Sequence, residues 1–151
     1  MNTYAEANKR QTPPGQTPED GALVVRAVLD DGASHAAELQ RFTLTTAGLF
    51  RAGNERAALD HYIELLGGFD MLIRALADVA FVLSVDFSTT PVGNVTLERF
   101  VSQLNTLLQE TMAAQQRKDW VLIADLLEYE LAPHLEQWRE LFAALGDKAA
   151  R

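Results

Sequence analysis

Along most of the chain apolar residues recur at intervals of three and four, the spacing that lines one face of an α-helix. The clearest run starts at "DWVLIADLLEYELAPHLEQW", where Trp120, Ala124, Leu127, Leu131, Leu135, Trp138, Phe142 and Leu145 form an inward stripe. Asp119 suits its N-cap, and Asp125, Glu128, Glu136 and Arg139 fall on its outer face. Pro133 sits in the middle of this run. It has no amide hydrogen and its ring would meet the Tyr129 carbonyl, so the pattern predicts a kinked helix or two helical pieces.

Three earlier helices follow from the same spacing. From a Ser34 N-cap, His35, Leu39, Phe42, Thr46, Leu49 and Gly53 share one stripe that stops at Ala52-Gly53-Asn54. The second helix spans Glu55 to about Val85, with Leu59, Tyr62, Ile63, Leu66, Phe69, Ile73, Leu76, Ala80 and Leu83 inward. Gly67 and Gly68 interrupt it at roughly 2 kcal/mol of helix propensity. They mark a kink, a break or a close approach of another segment. Thr96 caps the third helix, Val95 and Phe100 are spaced as a hydrophobic staple, and Leu97, Val101, Leu104, Leu108 and Thr111 form its stripe.

The remaining segments are read from turn and breaker residues. "SVDFSTTPVGNVT" is a linker crossing the end of the bundle. "ALVVRAVLDDGAS" clusters Val24, Val25 and Val28 before an Asp-Asp-Gly turn signal, which suits a short strand over residues 23–29, although one or two helical turns would accept the same residues. Residues 1–19 are polar and proline-rich and read as a disordered tail. The expected fold is all-α: a mainly antiparallel four-helix bundle over residues 20–147, with its second and fourth helices kinked. An offset of 66 residues lays "IELLGGFDMLIRAL" on "YELAPHLEQWRELF" and Gly67 on Pro133, as a duplicated helical hairpin would, although any two amphipathic helices match comparably.

Composition narrows the partners. A formal charge of −8 opposes a phosphate-binding surface, so nucleic acid is not expected. There is no cysteine, hence no disulfide framework or thiolate metal site. The polar amino end lacks the apolar core of a signal peptide, which points to the cytoplasm. The one long apolar stretch, "GGFDMLIRALADVAFVLSV", carries Asp70, Arg74 and Asp78 on one helical face, which suits a core helix with a wet edge and not a membrane span.

Candidate chemistry is sparse. Glu128, Glu130 and His134 are the one place where acids and a histidine crowd together, but the Glu-x-x-His pair of di-iron bundles occurs nowhere, and His35 and His61 stand alone on other helices. There is no Gly-x-Ser-x-Gly elbow and no glycine-rich phosphate loop, and Ser34 beside His35 reads as a cap. No catalytic residue, metal or cofactor is therefore assigned. Trp120, Tyr129 and Trp138 do not share one stripe, since Tyr129 falls about 180° from Trp138. A helix buried on two sides would explain that; so would a partner or dimer face, for which Trp120, Glu128 and Tyr129 are the candidate residues.

The phrase "KDWVLIADLLEYELAPHLEQW" resembles a segment of small bacterial helical proteins, a likeness that carries no activity with it. Over roughly the last third, the chain is also similar to flagellar export chaperones of the FliT type, through a tryptophan, apolar residues and an acid-rich helix. That resemblance implies a protein-binding accessory or chaperone-like factor, non-enzymatic, whose partner is another protein or a second copy. The alternative from the residues is a small-molecule or metal-binding bundle with enzymatic activity, its pocket opened at Gly67, Gly68 and Pro133.

Overall fold

Helical periodicity governs the fold of residues 18–149, which are the residues described by the computed structural model of the protein. Helix α1 (Pro18–Arg51) is followed by α2 (Glu55–Val82). A short antiparallel ribbon, β1 (Pro91–Val92) and β2 (Val95–Thr96), leads into α3 (Leu97–Gln116). The fourth rod consists of α4 (Trp120–Asp125), a π-helical turn (Leu126–Leu131) and α5 (Ala132–Ala149). The protein is thus all-α apart from that ribbon.

Contacts along the rods fix an antiparallel order. Arg51 at the end of α1 meets Asp125 and Glu128 at the start of the fourth rod, while a Cβ on Gly32 would lie 3.1 Å from the Phe142 ring near the rod's other end. Between α2 and α3, Tyr62 Oη and Thr111 Oγ1 share a buried hydrogen bond of 2.9 Å. Burial raises the Tyr62 pKa, and the Thr111 hydrogen bond opposes that shift. The fully buried centre includes Phe69, Phe100, Leu104, Leu127, Trp138 and Phe142.

The expected strand over residues 23–29 is a correction: those residues lie inside α1, which also starts well before Ser34. Val25, Leu29, Gly32 and Ala36 are buried at helical spacing. Packing of that stripe onto α5 outweighs the β preference of the valines and the turn preference of Asp30-Asp31-Gly32. The expected tail falls largely outside the described residues, but Pro18 and Glu19 belong to the helix. In α2 the buried face is Ala58, Tyr62, Leu65, Phe69, Leu72, Leu76 and Val79, and Ile63, expected inward, is 67% exposed.

The breakers act in different ways. Helix α2 remains α-helical through Gly67 and Gly68. Gly68 is the point of close approach, for a Cβ there would stand 2.5 Å from Leu39 Cδ1. Before Pro133 the helix widens instead, and the Ala132 amide donates to the Leu127 carbonyl, five residues back. This wider register lies immediately ahead of the proline that cannot take part in α-helical bonding.

Candidate functional site

The three residues singled out from the sequence gather near the end of α1. Trp120 stacks on Phe50 with ring centroids 5.6 Å apart and is half-buried. Glu128 accepts from Arg51 Nε at 3.1 Å and from Nη2 at 2.5 Å, while Asp125 accepts from Nη2 at 2.9 Å. The hydrogen bonds to Asp125 and then Glu128 hold the Arg51 pKa above its ordinary value. The Arg51 guanidinium also lies 5.8 Å from the centre of the Tyr129 ring, which is itself 65% exposed. Here Glu128 is engaged within the chain, and Tyr129 offers the open apolar surface.

Beyond Tyr129 a groove of about 590 Å³ runs between α3 and the fourth rod. Arg99, Gln103 and Thr106 line one wall, and Glu130, Pro133 and Gln137 line the other. His134 forms part of this wall but is only 7% exposed. Its ring stacks on Phe100 at 4.4 Å, and its Nδ1 accepts from Trp138 Nε1 at 3.0 Å. Nε2 therefore carries the proton, and among the described residues it is buried with no partner in hydrogen-bond geometry. Burial pushes the His134 pKa down to about 4, a shift that the Phe100 carbonyl opposes only in part. Glu130 and His134 line this groove together, but among the described residues no three potential ligands gather as a metal site.

A second opening runs along the outer seam of α1 and α2. A cavity of about 500 Å³ is lined by His35, Glu38, Leu39, Phe42, Glu64, Gly67, Gly68 and Met71. It adjoins another of about 180 Å³ bounded by Val28, Asp31, Gly32, His35, Met71, Leu72 and Ala75. His35 Nε2 donates to the Gly68 carbonyl at 3.3 Å across the seam. Met71 is 61% exposed, and Val24, one turn before Val28, is 63% exposed. This surface is hidden in the sequence because residues 23–29 suit a strand as readily as a helix. Once they are helical, Val24, Val28, Asp31 and His35 fall on one face.

Among the described residues no helix is long and apolar enough to cross a membrane. No curated protein and no solved structure matches the chain. The model of a domain of unknown function (DUF8042) matches residues 37–141, a stretch that includes the Arg51 corner, the groove beside Pro133 and most of the α1/α2 seam. Since that stretch is well over half of the 151 residues, the chain belongs to the DUF8042 family.

Proposed function

We propose that the protein is a non-enzymatic, protein-binding accessory factor with a chaperone-like role in the cytoplasm. The observation that carries this reading is the apolar trough on the α1/α2 seam, with Val24, Val28 and Met71 open to solvent around it. Apolar side chains clustered on an otherwise charged surface are typical of protein-binding patches. The likeness of the last third to export chaperones of the FliT type points the same way. Affinity capture from the native cell with the wild-type chain and with Met71→Asp tests it. A stoichiometric partner held by the first and lost by the second supports the reading; equal recovery on both removes the seam from it.

A second reading, a small-molecule site in the α3/α5 groove, is favoured by the buried, unpartnered His134 Nε2 beside the Pro133 break. A fragment screen by thermal shift would test it: a rise in midpoint that Thr106→Phe abolishes supports it.

A further inference from the structure

We infer that the α1/α2 trough docks a basic amphipathic helix from a partner protein, an inference that rests on the protein-binding reading above. The trough has an apolar floor and an acidic rim. Leu39, Phe42, Met71 and Ala75 supply the apolar surface, and Asp31, Glu38 and Glu64 line its edges. Asp78 adds a fourth acid, seven residues beyond Met71 and so on the same face of α2. Among the described residues no lysine or arginine lines either cavity. Arg74, the cation nearest along α2, is turned onto Asp70 at 2.9 Å.

The shape suits a helix. From Val28 to Phe42 the two cavities follow α1 for fourteen residues, about 21 Å at the rise of an α-helix, which matches about four turns of a partner. Gly67 lines the trough with nothing within 4 Å of where its Cβ would be, so a partner backbone can come close there. Helix-in-groove recognition places apolar side chains at helical spacing into such a trough, and the acidic edges would pair with lysines or arginines flanking them.

Charge separates this occupant from the others. A second copy would bring the same acidic edges against these, and like charges in apposition oppose pairing. Residues 1–17 offer only Met1 and Tyr4 as large apolar residues, with Lys9 and Arg10 against Glu6. A partner helix with an apolar face and basic flanks satisfies both the floor and the rim.

The probe is a labelled helical peptide of about fourteen residues with leucine on one face and lysine on the other. Its control has glutamate in place of lysine, and anisotropy reads binding to the full chain. The lysine peptide should bind at least tenfold more tightly than its control, and more weakly as salt is raised. Met71→Asp should weaken it tenfold or more, although adherence to bulk negative charge would make that variant bind more strongly. Gly67→Leu should do the same by filling the trough, and melting of each variant shows that the fold persists. Val121→Asp, at a residue exposed on α4, should leave binding unchanged.

Equal binding of the two peptides, or undiminished binding to Met71→Asp, overturns the inference. So does a dimer in sedimentation that Met71→Asp dissociates, which assigns the trough to a second copy. Binding that appears only after removal of residues 1–17 assigns it to the chain's own amino end and also overturns it. A photo-crosslinker in place of Met71, used in the native cell, separates the two levels of failure. A captured protein joined through an acidic or non-helical segment overturns the basic helix but leaves protein binding standing. Absence of any captured protein both there and at Tyr129 removes both.

Discussion

The two helical hairpins of the bundle meet the same packing demand with different side chains. In the first, α1 and α2 approach by removing bulk: Gly68 leaves room for Leu39, and His35 reaches the Gly68 carbonyl. In the second, α3 and the fourth rod close over added bulk, with the rings of Phe100, His134 and Trp138 in contact and Phe142 against Trp138. The glycine route keeps α2 α-helical and leaves an apolar trough outside it. The aromatic route goes with a π turn, a polar groove and a buried imidazole N–H. The offset that lays Gly67 on Pro133 thus equates positions that are alike in pattern and opposite in their effect on the backbone.

The largest effect should come from removing the centre of the aromatic hairpin. Trp138 is completely buried, so Trp138→Ala should cost about 3–5 kcal/mol in urea unfolding, and it also strips the His134 Nδ1 of its donor. Tyr129→Ala, on the exposed side of the same rod, should stay within about 0.5 kcal/mol. A Tyr129→Ala defect as large as that of Trp138→Ala would break the division between a packed and an open side of this hairpin.

The next effect is a pH dependence peculiar to the same hairpin. His134 is held neutral in the fold, with a pKa near 4 against an ordinary value of 6.5. Below pH 6.5 the unfolded chain therefore takes up a proton that the folded chain refuses. Stability contributed by this group is fully present above pH 6.5 and is lost as pH falls toward 4, by as much as ~3 kcal/mol. Arg99 and Glu130, of opposite charge, line the same groove as His134. His134→Gln should flatten the profile between those pH values when unfolding free energy is measured across the range. An unchanged slope would locate the acid sensitivity elsewhere.

Much of this architecture is legible in the sequence, and the exceptions have physical causes. The fourth stripe from Ala124 to Leu145 is buried at each expected position because apolar residues recur at helical spacing on both sides of Pro133. Thr96 and Asp119 cap as expected, accepting from the Arg99 and Leu122 amides at 3.3 and 3.1 Å. The start of α1 is not legible, since valines and Asp-Asp-Gly favour other states locally and only the tertiary packing of Val25, Leu29, Gly32 and Ala36 decides for the helix. Thr43 is a polar residue on the buried stripe with Ala36, Leu39 and Thr46, its hydroxyl satisfied by donating back to the Leu39 carbonyl at 2.7 Å. Of the candidate site, the angle alone sets Tyr129 opposite Trp138 but leaves a second buried side open, and the fold turns Tyr129 to solvent. That Arg51 would occupy Glu128 required the tertiary fold, since the two lie 77 positions apart.

In the glycine hairpin, adjacent substitutions should have opposite signs. Gly67→Ala meets open space and should gain about 1 kcal/mol of helix propensity. Gly68→Ala gains the same propensity but drives its Cβ into Leu39, and displacing a buried leucine costs roughly 1–3 kcal/mol. A net loss of up to about 2 kcal/mol is expected in thermal or urea unfolding. Equal gains at both sites would mean that α1 yields freely, and the close approach would no longer distinguish this hairpin from the other.

The smallest effect compares the turns that close the two hairpins. Both end their first helix with the same pair of backbone bonds: Gly53 and Asn54 amides donate to the Phe50 and Leu49 carbonyls, and Lys118 and Asp119 amides donate to Gln115 and Ala114. The geometry places Gly53 at φ +76° and Lys118 at φ +56°, in the left-handed region. That conformation costs a side-chain-bearing residue roughly 1–2 kcal/mol, whereas glycine adopts it freely. Lys118→Gly relieves the strain, and glycine's greater freedom in the unfolded chain offsets about 0.4–1 kcal/mol of the gain. A net stabilisation of about 0.5–1 kcal/mol is expected, and Gly53→Ala should destabilise by a similar amount. Ser84, at φ +54° after α2, closes its helix in the same manner, its amide donating to Phe81 and that of Val85 to Ala80. Ser84→Gly should therefore follow Lys118→Gly in sign. If calorimetry shows that Lys118→Gly destabilises while Ser84→Gly stabilises, the lysine side chain must hold the second turn through its own contacts, and the two hairpin turns differ in more than their residue type.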